Sequence, residues 1–549
     1  MKTKVVVVGG VAGGANFAAR ARRLNEHAEI IMVERSGYVS FANCGLPYHL
    51  GGEIEDRDDL LLHNPASLKA RFNLDVRIRT EATKINSESK TIELRDLESG
   101  RSYIENYDEL VLAPGASPIV PPIPGINNPG IFTLRNIEDM DMILSWMKEK
   151  NPKRAVVIGG GFIGLEVLEQ LKSKIDSLTL IEAAPQLLIP LDPEMAGIVE
   201  KEVRSHGVDV VLGDALASFE DQLTVVTASG RKFASDMVIL AIGVRPEVSL
   251  AKTAGVEIGP RGGIKVDSYM RTTVPNIWAV GDAVEIQNLV TGELGVVPLA
   301  GPANRQGRIV ADNVFGSEKR IFSGALGTAI LRVFALTAAT TGANEKTLKR
   351  LNKEYKSLLL FPNSHAGYYP GASGLSIKLL FCPKTRQLLG AQVIGEDGVD
   401  KRIDVFATAL KAKMSIDDLS ELELSYAPPF GSAKDPVNMA GMIAKNILDN
   451  LVKSISPEEF FKTKEKYFIL DVRNKAEIDR GAIDGHYWIP LPELRNRISE
   501  LPKNKPIVAY CQSAQRSYYA SRILTQNGFE VMNLSGAYKG WMLQQAVHK

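Results

Sequence analysis

Three cysteines, at positions 44, 382 and 511, are all that a chain of 549 residues carries. They are too few for a disulfide framework and fit a reducing, cytoplasmic setting, where a lone thiol is either reactive or simply buried. Neither charge is in surplus. Lys+Arg number 65 and Asp+Glu 64, a formal net charge of +1, so the basic footprint of a nucleic-acid binder is missing. No apolar run reaches the ~18 residues of a membrane span. Lys2 and Lys4 before Val5–Val8 imitate a secretory leader, but the glycines at 9–14 and the nearby Arg20, Arg22 and Arg23 argue against one. An apolar fraction of 45% and a charged fraction of 23% exclude wholesale disorder and fibrous structure. No metal, membrane or nucleic-acid partner is expected. At ~100–200 residues per domain the length suggests three or four domains, or a large two-domain enzyme.

What is present begins with a repeat. Lys4–Val8 reads as a buried parallel strand, followed by the turn Gly9-Gly10-Val11-Ala12-Gly13-Gly14, a helix over Ala15–Leu24 and a strand Glu29–Glu34 ending in an acid. Strand, glycine turn, helix and acid-tipped strand form a βαβ dinucleotide site. The layout recurs: Ala155–Ile158, the turn Gly159-Gly160-Gly161-Phe162-Ile163-Gly164, a helix to about Lys172, and Leu178–Glu182. Glycines there admit a pyrophosphate to the backbone, and the helix N-terminus offers free N–H groups. Glu34 lies 20 residues after Gly14 and Glu182 lies 18 after Gly164, in reach of a ribose hydroxyl. The second turn fits G-x-G-x-x-G; the first places Val11 at the middle position. Two such units imply two nucleotides. Glu182, with no arginine in Ala183–Gln186 to receive a 2′-phosphate, favours NADH over NADPH.

Beyond about Ile330 the texture becomes that of a separate α+β domain, with strands at Leu375–Phe381 and Leu388–Ile394 and helices over 401–413 and 437–451. Lys453–Pro457 reads as a linker. The last ~90 residues alternate strands and helices as a small α/β domain.

Thr273–Ala283, with its Gly281-Asp282 pair, resembles the second FAD motif of the two-dinucleotide-fold flavoprotein disulfide reductases. Leu112-Ala113-Pro114-Gly115 and Ala241-Ile242-Gly243 resemble that family's links between FAD and NAD domains. The resemblance covers residues 1 to about 450. It implies two Rossmann-like domains and an α+β dimerisation domain, and with them an NADH-to-FAD path. The expected boundaries are 1–115 and 247–325 for FAD, 116–246 for NAD(H), 326–450 for dimerisation, 451–457 for the linker and 458–549 for the last domain. The cofactor residues implied are Gly9, Gly10, Val11, Ala12, Gly13, Gly14, Glu34, Arg35, Asn43, Ala113, Gly115, Gly281 and Asp282 for FAD. For NADH they are Gly159, Gly161, Phe162, Ile163, Gly164, Glu182 and Gly243.

Cys44, in Ser40–Tyr48, stands where glutathione-reductase-like members carry a C-x4-C pair, but His49 occupies the second position. A lone thiol facing a flavin needs a sulfenic acid, a persulfide or an external thiol as partner. The surrounding sequence resembles coenzyme A-disulfide reductases. That resemblance implies coenzyme A contacts from Asn16, Arg20, Arg23, Ser40, Asn43, Arg71, Asn304 and Lys434. It also implies two tyrosines, Tyr368 and Tyr426, supplied over the redox cysteine by the partner of a homodimer. Asn16, Arg20 and Arg23 fall on one helix face, where an ordinary solvated surface would look the same. Cys382 is expected to be a buried small hydrophobe.

Cys511-Gln512-Ser513-Ala514-Gln515-Arg516-Ser517 places a thiol in a loop at a helix N-terminus, an anion cradle in which Arg516 favours a thiolate or persulfide anion. With Leu470–Arg473, Gly485-His486 and Gly536…Trp541 it resembles a single-domain rhodanese over 456–545. That family often has Gly where Ala514 stands, and Gly takes φ > 0 more cheaply. Cys511 is expected on an exposed loop, Cys44 in a narrow dry site.

The reading is an FAD- and NADH-dependent reductase of sulfane sulfur, in which Cys44 forms a mixed disulfide with coenzyme A and Cys511 delivers sulfur. Its rivals are a coenzyme A-disulfide reductase without sulfur delivery, an NADH oxidase or peroxidase working through Cys44 sulfenic acid, and a redox sensor.

Overall fold

A computed structural model describes residues 3–547. They divide into two compact units, residues 3–185 with 207–327, and residues 186–206 with 328–547.

In the first unit, strands Ile277–Ala279, Glu109–Leu112, Lys4–Val8, Glu29–Val33 and Asp75–Arg77 form an all-parallel sheet in that order. Val5, Val6, Val7, Ile31 and Met32 are fully buried. This is why the strands read as continuous apolar runs: helices and loops cover both faces of a parallel sheet. The second parallel sheet runs Asp209–Leu212, Ser177–Glu182, Arg154–Ile158, Met237–Leu240 and Ile131–Phe132. Each sheet carries one glycine turn at the carboxyl end of its central strand, the usual ligand position of doubly wound folds. The first helix spans Ala12–Leu24, three residues earlier than expected, because Gly13 and Gly14 fall in its first turn. It crosses the helix Ala300–Phe315 so closely that a Cβ on Gly307 would sit 2.3 Å from Gly13 O.

In the second unit, an antiparallel sheet runs Ala329–Val333, Leu336–Gly342, Leu388–Gly395, Leu375–Phe381 and Lys356–Leu360, with helices Val399–Lys411 and Pro436–Leu448. Residues 186–206, expected with the NAD domain, group with this unit instead. The buried Lys378 ammonium holds them, meeting Asp192 at 3.0 Å, Glu345 at 2.9 Å and Glu194.

The C-terminal residues form a parallel five-stranded sheet: Lys453–Ile455, Val531–Leu534, Ile507–Tyr510, Phe468–Asp471 and His486–Trp488. This corrects the expected linker at 451–457. Lys453–Ile455 is the edge strand of that sheet, and Ser456 caps the helix Pro457–Thr463. The C-terminal domain is also fastened to the antiparallel sheet. Leu359 N donates to Ser535 Oγ at 3.0 Å, Asn446 reaches the Tyr518 hydroxyl at 3.4 Å, and Lys349 pairs with Glu458 at 3.3 Å. Arg522 also donates to Leu451 O. Contacts of this number between folded parts leave no free tether.

Candidate active site

The two glycine turns are built alike. Gly9 has φ +99° and Gly159 φ +109°; a Cβ there would meet Ala113 O at 2.1 Å and Ala241 O at 2.2 Å. Gly14 and Gly164 let the helix approach, since their Cβ atoms would stand 1.9 Å and 2.0 Å from the Gly9 and Gly159 carbonyls. The middle position differs. Val11 has φ −106°, so the backbone does not demand glycine there, whereas Gly161 faces open space. Gly10, Ala12 and Gly13 complete the first turn; Phe162 and Ile163 open the second helix, Phe162–Leu171.

Each acid is already aimed at its turn. Glu34 accepts from Gly10 N at 2.8 Å and Ser36 N at 2.9 Å. Glu182 accepts from Gly160 N at 2.6 Å and Ala184 N at 2.7 Å. Arg35 is exposed and 3.7 Å from Glu81. Gly115 and Gly243 have positive φ, and Gly281 N donates to Gln306 Oε1 at 2.7 Å. Asp282 is half-buried with no hydrogen bond to its carboxylate among the described residues, and burial pushes its carboxyl up, against the pull of Arg135. An unpartnered carboxylate and two glycine cradles fit a flavin polyol and two dinucleotides.

Cys44 sits in the short turn Asn43–Gly45, ahead of the helix Leu46–Gly51. Ser40, which begins the loop, holds φ +49° and donates its N–H to Gly10 O at 2.8 Å, tying the redox loop to the first glycine turn. Strained backbone of this kind gathers at functional sites. Cys44 departs from the narrow dry site expected of it: the residue is exposed. Its thiol is nevertheless pushed above the ordinary value, first by burial of the sulfur, then by the charges of Glu166 and Asp282. Glu166 is itself pushed up to about 7, mainly by burial, with a Tyr48 hydrogen bond opposing. Sequence reading missed Glu166. Its signal was slight: an acid two residues after Gly164, on a helix turn otherwise apolar.

Of the implied coenzyme A residues, Asn16 and Asn304 meet at 3.3 Å across the two crossing helices. Arg20 is paired with Asp312 at 2.8 Å, brought to it by the same helix crossing. Arg23, Arg71 and Asn43 are exposed. Lys434 is exposed, in the second unit. In that unit the Tyr368 and Tyr426 hydroxyls meet at 3.1 Å, and the residues are 76% and 49% exposed. Two large hydrogen-bonded aromatics left in solvent suit a surface that something else covers.

Cys511 corrects the expected exposed loop: it is 1% exposed, among Tyr510, Ala520 and Leu534. Its strand is the third of five, and Ser517 Oγ lies 3.6 Å from the sulfur. Ala514 adopts φ +72°. Arg516 is not free to serve an anion alone; both its terminal nitrogens bind Glu477, at 2.7 and 2.5 Å. Cys382 departs from its reading too. It is half-buried in the turn between two strands, where Thr385 N donates to its sulfur at 3.5 Å.

Residues 3–307 match the pyridine nucleotide-disulphide oxidoreductase pattern, 328–436 the dimerisation domain of the same family, and 456–544 the rhodanese-like domain. The chain belongs to the pyridine nucleotide-disulphide oxidoreductases. Within that family it is similar to the reduced CoADR-RHD of Bacillus anthracis, with 48% identity and TM-score 0.97 over 99% of this chain and 98% of that one. It is similar to an NAD-dependent persulfide reductase from A. fulgidus, with 39% identity and TM-score 0.92 over 98% and 100%. It is 35% identical to the coenzyme A disulfide reductase of Staphylococcus haemolyticus, over 81% of this chain and all of that protein. The chain is thus an oxidoreductase with a rhodanese domain, and its family implies FAD and NAD(H).

Proposed function

We propose that the protein uses NADH to reduce coenzyme A persulfide or polysulfide to hydrogen sulfide. What supports this is the pairing in one chain of a lone cysteine beside the first glycine turn with a second cysteine in a rhodanese-like domain. A disulfide reductase without sulfur delivery has no use for the second.

Cys44 thiolate attacks the inner sulfur of coenzyme A–S–S–H. The Cys44–S bond forms, the S–S bond breaks, and HS⁻ leaves, so Cys44 is held as a mixed disulfide with coenzyme A. Gly9–Gly14, Glu34 and Asp282 would hold FAD, which when bound would supply the two-electron reduction drawn from NADH. Two electrons cleave the mixed disulfide into Cys44 thiolate and coenzyme A thiolate. Glu166, poised to change charge near pH 7, restrains the thiolate until a ligand displaces water or brings a counter-charge. Glu182 favours NADH. In a homodimer, Tyr368 and Tyr426 cover the partner's redox centre, and a tyrosine hydroxyl there protonates the leaving sulfur. Asn16, Arg20, Arg23, Ser40, Asn43, Arg71, Asn304 and Lys434 are the residues assigned to coenzyme A. Cys511 carries sulfane sulfur as Cys–S–S–H.

The test is NADH and NADPH oxidation against coenzyme A disulfide, coenzyme A persulfide, polysulfide, oxygen and peroxide. Persulfide with NADH should give the highest kcat/KM. Preference for the disulfide selects the simpler reductase, and preference for oxygen or peroxide selects the oxidase reading.

A further inference from the structure

Two guanidinium groups reach the Cys511 loop, and each is paired with a carboxylate. Arg473, 1% exposed, binds Asp471 through Nε at 3.1 Å and Nη2 at 2.7 Å, and its Nη1 reaches Gln512 Oε1 of the loop at 3.4 Å. Arg516 binds Glu477 through both terminal nitrogens. The ammonium of Lys539, whose N–H holds Gln512 O, is turned onto the Phe361 ring, 5.4 Å from its centroid. Two carboxylates therefore match the two guanidiniums, and the Lys539 ammonium lies against an aromatic ring. Bidentate geometry makes the Arg516–Glu477 pair costly to part. Its carboxylate is held below the ordinary range by Arg516 first.

We propose that Glu477 sets the donor class of Cys511. By occupying Arg516 it turns away dianionic sulfur donors such as thiosulfate and leaves a site for the outer sulfur of a thiol-bound persulfide or a polysulfide chain. This rests on the reading that Cys511 carries sulfane sulfur. Cys511 thiolate attacks the terminal sulfur of R–S–S–H; the Cys511–S bond forms, the donor S–S bond breaks, and R–S⁻ leaves, the proton staying on the transferred sulfur. No net electrons are exchanged. A dianion approaching the same thiolate needs the positive charge that Glu477 has taken.

Glu477 is also placed to be exchanged without losing the fold. Its Oε2 accepts from Asn474 N at 3.0 Å in a capping box, a contact that glutamine keeps. The experiment uses the full chain with Cys44→Ser, and follows persulfide on the Cys511 peptide by mass spectrometry with cysteine persulfide or thiosulfate as donor. Glu477→Gln should shift the ratio of the two initial rates about tenfold toward thiosulfate, and adding Arg516→Gln should remove that gain. A merely structural Glu477 would slow both donors alike and leave the ratio unmoved, which overturns the proposal while the carrier reading stands. If no donor places sulfur on Cys511 in any variant, the carrier reading falls and the proposal with it.

Discussion

Cys44 and Cys511 are two free thiols of one chain, and their surroundings are opposite. Cys44 is exposed and meets carboxylates: Glu166 and Asp282 both disfavour its thiolate. Cys511 is buried and meets a guanidinium, Arg516, whose charge faces it while bound to Glu477. Burial first, then the two carboxylates, disfavour the Cys44 thiolate. Cys511 is enclosed beside a compensated cation. Environment, more than residue type, divides the labour.

The largest expected effect breaks the comparison at Cys44. Cys44→Ser should retain FAD, visible in the absorbance spectrum, and lose at least about a thousandfold in NADH-driven turnover with every sulfur acceptor, the scale of losing a covalent nucleophile. Turnover of persulfide by that variant would remove Cys44 from the relay. Cys511→Ser should be milder: near-normal rates with freely diffusing coenzyme A persulfide, and a loss of about tenfold with polysulfide, ~1.4 kcal/mol of barrier. Equal losses with both substrates would put Cys511 in the redox path. Glu166→Gln sharpens the contrast. Removing a neighbouring negative charge lowers the Cys44 thiol pKa, and because Glu166 is charged only above about 7, the effect appears at pH 8 and fades by pH 6. Alkylation of Cys44 at pH 8 should quicken about fivefold, on the order of 1 kcal/mol for one carboxylate at the protein's effective dielectric. An unchanged pH profile would show that burial alone governs the thiol. The smallest effect is at the other loop. Ala514→Gly relieves a left-handed φ and should raise the unfolding free energy of the C-terminal domain by about 0.5–1 kcal/mol, the αL cost less glycine's entropy. Destabilisation in thermal melts would mean that the Ala514 methyl packs usefully.

Much of this molecule is legible from local pattern. Both glycine turns, their acids and the thiol-to-arginine spacing of the C-terminal loop are short-range signals, each fixed by the steric need of one turn. The flanking apolar runs follow from burial on both faces of parallel sheets. What escaped notice joins residues far apart in the chain. Asp312 reaches Arg20 from a helix nearly 300 residues on. Lys453–Ile455 reads as polar spacer and becomes a strand because Val531–Leu534 offers it a free edge.

The sequence by itself therefore determined that the chain has two glycine-turn βαβ units, a lone cysteine at position 44 and a rhodanese-like C-terminal domain, because those features depend on turns and strands a few residues long. Tertiary structure alone decided which charges are free. Glu477 and Arg516 lie 39 residues apart and Cys44 and Glu166 more than 100, so their encounters are set by how strands stack in a sheet. Coulomb interactions depend on distance and burial, and neither is written in spacing along the chain.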